Sequence, residues 1–427
     1  MQNRVQKKKK ISLTTMIFIA LLAGALTGVI INYLIPSNYV VDDIIVQGVF
    51  YIVGQGFIRL MRMLVVPLVF CSIVCGSMAV GDTKKLGSVG VKTLIFYLCT
   101  TALAITVALS IANIFNPGKG LDMSQIQVTS TVSETTQSMS MTETLLDIIP
   151  VNIFNSLSEG NMLQIIVFAL ILGVILANMG DRVDIVKNFF GQFNDIMMEM
   201  TMAVMKLAPI GVFCLIAKTF AEIGFEVFIP LLKYMFCVLL ALAVQCFVVY
   251  LGLLKIFSGF NPFIFIKNFF PVMAFAFSTS TSNATIPMNI DTLAEKMGVS
   301  KKISSFTIPL GATINMDGTS IMQGVAVVFT AQAFGIPLDM MDYLTVIGTA
   351  TLASIGTAGV PSVGLITLTM VFNSVGLPIE GIALIMGIDR ILDMTRTAVN
   401  ITGDAVCTTI VASWNKAVDR DVYYRRK

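Results

Sequence analysis

The stretch RILDMTRTAVNITGD, residues 390–404, sets charged and amide side chains inside an apolar chain. At about 100° per residue, Asp389, Asp393, Arg396, Thr397, Asn400 and Asp404 fall on one helical face, with Arg390 at its edge. Ile391, Leu392, Ala398, Val399 and Ile401 take the other side. Arg396 offers a rigid fork that can hold a carboxylate by two hydrogen bonds. Asp393, one turn earlier, can hold an ammonium. A ligand with both groups satisfies both residues, and a second carboxylate can go to a helix N-terminus or to Ser/Thr hydroxyls. Asp317 and Asp404, with Asn315 and Asn400, make a second set of oxygen donors. Buried carboxylates need compensation. Sodium suits them, because its coordination tolerates carbonyls and amides; a proton on one aspartate is the alternative. A salt-bridge network that only ties helices together is the structural alternative, strongest for Arg390 with Asp389.

The surrounding chain decides which elements hold these groups. Only 12% of its 427 residues are charged and 56% are apolar. Soluble domains carry about a quarter charged residues, so this is the composition of a polytopic membrane protein. A net charge of +3 is too small and scattered for a nucleic-acid partner. The chain has no histidine, which removes histidine relays, histidine-bound zinc and Ser/His/Asp hydrolysis. The seven cysteines lie in apolar runs without zinc or disulfide spacing and read as core residues. With paired carboxylates set among Thr and Asn at membrane depth, an enzyme is not expected.

MQNRVQKKKK precedes an apolar run over 11–35, which predicts a first span with its basic end in the cytoplasm, close to lipid headgroups. Further runs cover about 44–80 and 89–115. A polar Ser/Thr-rich loop follows over 116–143. Residues 145–178 are broken by Pro150 and by NSLSEGN, MGDRVD at 179–184 is a charged turn, and 197–220 is interrupted by Pro209 and Gly211. Residues 231–254 form a cleaner span.

Beyond Lys267 the apolar runs shorten. FAFSTSTSNATIP (275–287), IPLGATINMDGTSIMQG (308–324) and LASIGTAGVPSVGLI (352–366) are polar islands, and the charged stripe is the fourth. Unpaired backbone in hydrocarbon is too costly unless it is buried in protein or lines a cavity. Only eleven residues, Lys267 to Phe277, lie between a charge and the first island, too few to span. The run Tyr343–Ile355 is short as well. Both patterns predict half-helices that enter, turn and leave, and paired interruptions point to a binding site. Their N-termini present free N–H groups and a positive dipole end, which suit a carboxylate.

NMDGT at 315–319, ASIGTAGVP at 353–361, DMTRTAVNITGD at 393–404, FNPG at 115–118 and APIGVF at 208–213 resemble the signatures of the dicarboxylate/amino acid:cation symporter family. This family includes archaeal aspartate transporters and the mammalian excitatory amino acid transporters. The resemblance implies an all-α polytopic membrane protein with eight transmembrane helices, two re-entrant hairpins and inverted repeats, working as an elevator. It implies a homotrimer in the cell membrane, with both termini cytoplasmic. Residues 1–10 would be the basic terminus, 11–264 mostly scaffold and trimerisation helices, 265–415 the transport core and 416–427 the C-terminal tail. Helix 3, about 89–115, and the region of helix 6 would join the transport domain. Hairpin one would tip at 278–286 and hairpin two, the outer gate, at 356–364.

The same resemblance places the substrate on Ser280, Ser282, Thr319, Val360, Gly364, Asp393, Arg396, Thr397 and Asn400. Asp393 would take the amine and Arg396 the side-chain carboxylate, with Asn400 and hairpin one at the α-carboxylate. It makes the chain metal-binding, with two or three co-transported sodium ions. One would meet Gly311, Asn315, Asn400 and Asp404. A second would meet Thr313, Met316, Ser354, Ile355 and Thr357. A third would meet Tyr97, Thr100, Thr101, Asn315 and Asp317. The chain departs from the family pattern at Ser280, where prokaryotic aspartate transporters have arginine, and at Met394, where mammalian relatives do; Arg390 is the candidate substitute. Gln323 stands where the mammalian branch has a proton-linked glutamate, which implies no potassium counter-transport. The expected function is sodium-coupled import of L-aspartate or L-glutamate. The alternatives are a proton-coupled C4-dicarboxylate or glutamate symporter, and an anion channel or receptor.

Overall fold

The computed structural model describes residues 13–81, 88–121, 149–224, 228–354 and 363–424. Nearly all of them are helical. In chain order the helices are α1 (Leu13–Leu34), a π-helical stretch Val40–Phe50 continuing into α2 (Tyr51–Gly81), α3 (Ser88–Phe115), α4 (Ile153–Glu159), α5 (Met162–Met179), α6 (Asp184–Met205) and α7 (Ala208–Ile223). Then come α8 (Phe228–Ala243), which passes through π-helical Val244–Tyr250 into α9 (Leu251–Ser258), α10 (Pro262–Thr279), α11 (Ser282–Met297), α12 (Lys301–Ile314) and α13 (Asp317–Ala333). The last four are α14 (Met340–Ser354), α15 (Val363–Ser374), α16 (Gly381–Trp414) and α17 (Arg420–Tyr424).

Local chemistry sets the boundaries. Gly259 takes the left-handed conformation (φ 72°) and stops α9, then Asn261 caps α10 by accepting from the Phe263 N–H, with Pro262 in the first turn. Each residue type is the one favoured at its position. Among the described residues, five helical stretches are long and apolar enough to cross a membrane: Thr15–Leu34, Val40–Leu60, Val89–Phe115, Phe228–Ser258 and Pro262–Thr279. A bent pair, Val167–Val204 with Ala208–Glu222 at 53°, is a broken span. The expected run over 197–220 is therefore two helices that part at Lys206–Leu207. Ile19, Leu22, Leu26, Ile52 and Phe270 are exposed on these helices, as befits a multi-pass membrane protein whose outer solvent is lipid.

Two packing neighbourhoods follow. α1 lies on α7, and α2 lies on α5, α6 and α7. The second neighbourhood is built on α16, which touches α8, α9, α10, α11, α12, α13 and α15. α3 comes early in the chain but packs on α8, α13 and α14. α10 and α11 pack on each other as a hairpin, as do α14 and α15. The C-terminal segment ties down the base of the first hairpin. Asp419 N–H donates to Gly298 O at 2.8 Å, and the Tyr423 hydroxyl donates to Asn261 O at 3.0 Å.

Candidate functional site

The site is assembled where helices are interrupted. Between α12 and α13, Asn315 (φ −88°, ψ 91°) and Met316 (φ −116°, ψ 41°) leave the helical conformation. Both residues are buried, so their freed polar groups must be met inside the protein. At the tip of the α10–α11 hairpin, Ser280 adopts φ 51°. A non-glycine residue there costs about 1–3 kcal/mol and persists only where its surroundings hold it. The Ser280 N–H donates to Ala276 O at 2.8 Å, while its buried hydroxyl has no partner among the described residues. Ser282, also buried, opens α11. Both arms of the hairpin lie against α16.

On α16, Arg396 is 1% exposed. Its Nη2 donates to Asp393 Oδ1 at 2.9 Å and forms an ion pair with Asp389 Oδ1 at 2.8 Å. Its Nε and Nη1 groups have no acceptor among the described residues. The guanidinium is thus held by one nitrogen and presents the rest of its fork. Gly364, at the start of α15, lies over that open side. A Cβ there would sit 2.9 Å from Thr319 Cγ2 and 3.3 Å from Arg396 Nη1. Only glycine lets this backbone come so close. Arg396, Thr319 and Gly364 therefore share one small space, although α13, α15 and α16 are far apart in sequence.

A second polar centre lies beside the Asn315–Met316 break. Asn315 Nδ2 donates to Asp404 Oδ1 at 2.8 Å and to Asn400 O at 3.1 Å, and Asn400 Oδ1 accepts from Gly318 N–H at 2.7 Å. Asn315 Oδ1 is buried without a donor. A Cβ at Gly311 would clash with Asp404 Oδ1 and lie 2.5 Å from the Tyr97 hydroxyl, so these groups meet at a glycine. Asn400 Nδ2 approaches Met316 Sδ at 3.4 Å.

Asp317 forms the third centre. Thr101 donates to Oδ1 at 2.5 Å, and Tyr250 and Gln245 donate to Oδ2 at 2.7 and 3.0 Å. Thr100 donates to Tyr97 O at 3.1 Å, the Thr101 hydroxyl lies 2.8 Å from the same carbonyl and shares its one proton between it and Asp317, and the Tyr97 hydroxyl reaches Thr307 O at 3.3 Å. Hydroxyls from α3 thus meet a carboxylate from α13.

The sequence-derived residues therefore fall into three groups. Arg396, Asp393, Thr319 and Gly364 come together; so do Gly311, Asn315, Met316, Asn400 and Asp404; and so do Tyr97, Thr100, Thr101 and Asp317. Other hydroxyls turn to their own helices: Thr313 to Pro309 O (3.2 Å), Ser354 to Thr351 O (2.7 Å) and Thr397 to Asp393 O (2.8 Å). Ile355, Thr357 and Val360 lie outside the described residues, as do the side chain of Arg390, the basic segment 1–10 and most of the polar loop. Gln323 Nε2 donates to Thr367 Oγ1 at 2.7 Å. The sequence reading missed Asp389 as an Arg396 partner, and it missed Gln245 and Tyr250. Gln245 carries a signal, a lone amide inside the apolar run LALAVQCFVVY, since polar groups at that depth usually have a task.

One expectation is corrected. The chain is not a metal-binding protein with a centre of ligating side chains: among the described residues no three His, Cys, Asp or Glu side chains gather where they could hold a metal ion. Asp389 and Asp393 meet on Arg396, and Asp317 and Asp404 already accept hydrogen bonds from neighbouring amides and hydroxyls.

A helical multi-pass protein with buried ionic groups at helix breaks belongs to the class of secondary transporters. The sodium:dicarboxylate symporter family matches over residues 13–414. The chain is 40% identical over 411 residues to the "Proton/sodium-glutamate symport protein" of Bacillus caldotenax, covering 95% of each. It is 36% identical over 422 residues to the "Proton/glutamate-aspartate symporter" of Escherichia coli (strain K12), covering 97% of this chain and 95% of that protein. It is 32% identical over 409 residues to "C4-dicarboxylate transport protein 1" of Ralstonia nicotianae, covering 95% and 93%. The chain belongs to the sodium:dicarboxylate symporter family. It is a transporter and not an enzyme.

Proposed function

We propose that this protein is a cation-coupled symporter of an acidic amino acid, L-aspartate or L-glutamate, and that sodium is the coupling cation. The observation that carries the reading is the buried Arg396 fork, with Nε and Nη1 lacking acceptors among the described residues and Asp389 and Asp393 on Nη2. Desolvated N–H donors of a cation are costly to leave unmet, and a carboxylate is the ligand that meets two at once. Asp393 argues for an amine on the same ligand, because a C4-dicarboxylate would leave that charge without a new partner. Relatives named for glutamate and aspartate support this assignment.

In this reading the side-chain carboxylate binds Arg396, and the amine draws Asp393 away from it. The α-carboxylate is met by Asn400, Ser280 and Ser282, with Thr319, Thr397, Gly364 and the Val360 backbone completing the pocket. Sodium is cargo. It passes through the oxygen groups around Asp404 and Asn315, around Asp317 and Thr101, and beneath the second hairpin, in a number of two or three. The fold reading that goes with it has eight spans, two re-entrant hairpins and inverted repeats. The transport core, 265–415 with α3 and the helix-6 region, slides past a scaffold in a homotrimer whose termini are cytoplasmic. Gln323, an amide, cannot take up and release a proton, so potassium counter-transport is not part of the cycle in this reading.

Uptake of labelled L-aspartate and L-glutamate into proteoliposomes tests the proposal. Accumulation should follow an imposed sodium gradient at constant pH and should be competed by acidic amino acids, not by succinate. Accumulation driven by a proton gradient in the absence of sodium would transfer the coupling role to protons, as the relatives' names allow. Preference for succinate would defeat the amino-acid assignment.

A further inference from the structure

Away from the buried charges, an apolar groove of about 350 Å³ lies between α3, α9 and the end of α16. Ile95, Cys99 and Leu103 line one side, and Leu253, Phe257 and Trp414 line the other. Trp414 is fixed there, donating through Nε1 to Phe257 O at 3.2 Å with its ring edge-on to Phe257. Lys92 also lines the groove. No carboxylate among the described residues pairs with its ammonium. Lys92 and Leu103 are eleven positions apart, so at 1.5 Å per residue the α3 wall runs about 16 Å inward.

We propose that this groove is a binding site for one anionic phospholipid, its acyl chain along α3 and its phosphate at Lys92. Three features select that occupant. The wall is apolar and belongs to a span of membrane length, so the neighbouring medium is hydrocarbon. Lys92 stands near the start of α3 with its aliphatic stem along the groove, and the tryptophan closes the end of α16, the places at which lysine and tryptophan meet the interface. A zwitterionic lipid would fill the groove with a phosphate already balanced by its own ammonium, so it would pair with the lysine less strongly. The inference is independent of what the protein transports.

Cys99 supplies the test, because it is exposed in the groove and the other six cysteines are buried or half-buried. Full-length protein in detergent would be titrated with phosphatidylglycerol or phosphatidylcholine, and Cys99 alkylation by N-ethylmaleimide followed at the peptide level. Phosphatidylglycerol at roughly ten times its dissociation constant should slow Cys99 about tenfold. Phosphatidylcholine should need a far higher concentration. Lys92→Gln should move the phosphatidylglycerol midpoint up by about fivefold, the worth of one interfacial lysine. Leu103→Trp, which fills the groove and keeps the lysine, should abolish the lipid dependence. Equal protection by both lipids would mean ordinary bulk lipid and overturn the site. So would an unmoved midpoint in Lys92→Gln, lipid protection surviving in Leu103→Trp, or protection that follows protein concentration without lipid, which would put a second copy in the groove.

Discussion

The Arg396 cluster and the Asp317 cluster are both buried and both charged, yet they are finished to different degrees. Asp317 accepts from Thr101, Tyr250 and Gln245, so both of its oxygens have donors from other helices. Arg396 spends one nitrogen on two carboxylates, and among the described residues its Nε and Nη1 find no acceptor. A carboxylate fully met by hydrogen bonds is a settled part of the fold. A guanidinium with open donors is a group that the fold has prepared for something else. The Asp404 centre falls between the two, since its Asn315 partner still carries an oxygen without a donor.

The largest effect is expected at the unfinished end. Arg396→Ala removes the carboxylate fork, and losing charge-assisted hydrogen bonds worth about 1.5–3 kcal/mol each should lower aspartate uptake in proteoliposomes by roughly 100-fold. Retained preference for aspartate over alanine would break the contrast. Asp404→Asn keeps the shape but removes a negative charge, and the cation concentration for half-maximal uptake should rise by about 10-fold or more, a loss of at least 1.4 kcal/mol. An unchanged cation requirement would reassign this centre to structure.

The finished centre should respond through stability first. Tyr250→Phe deletes one hydrogen bond to the Asp317 carboxylate, worth about 1.5–3 kcal/mol, and should lower thermal stability with a smaller loss of cation dependence. If uptake collapses while stability holds, Tyr250 belongs to the transport path. Thr307→Val is the mildest change. It removes a 2.7 Å hydroxyl pair with Thr408 between α12 and α16, and should cost about 1 kcal/mol in thermal stability with uptake unaltered.

Much of the architecture was legible in the chain. The first span was expected at 11–35 and is helical over Leu13–Leu34, and the third was expected at 89–115 and occupies Ser88–Phe115. Long apolar runs leave few alternatives to helix, because the backbone must satisfy itself. The Ser/Thr cluster marked the α10–α11 turn, but Lys267 does not bound the helix before it: Pro262–Thr279 is continuous and long and apolar enough to cross a membrane. The break at Lys206–Leu207 was less so, because Pro209 and Gly211 suggested it a few residues later. Metal binding is the expectation that fails, because among the described residues no three carboxylate or thiol side chains gather in one place.

The sequence alone determined that the chain is a helical membrane protein and that Asp389, Asp393, Arg396, Asn400 and Asp404 share one face of a helix, since helical periodicity is a local property of the backbone. It could not determine that Asp389 would join Asp393 on Arg396 Nη2, or that Gln245 and Tyr250 from one helix and Thr101 from another would converge on Asp317. Those meetings depend on helix crossings and rotamers fixed by packing across the whole molecule. The tertiary structure therefore decided which buried charge is complete and which is left open to a ligand.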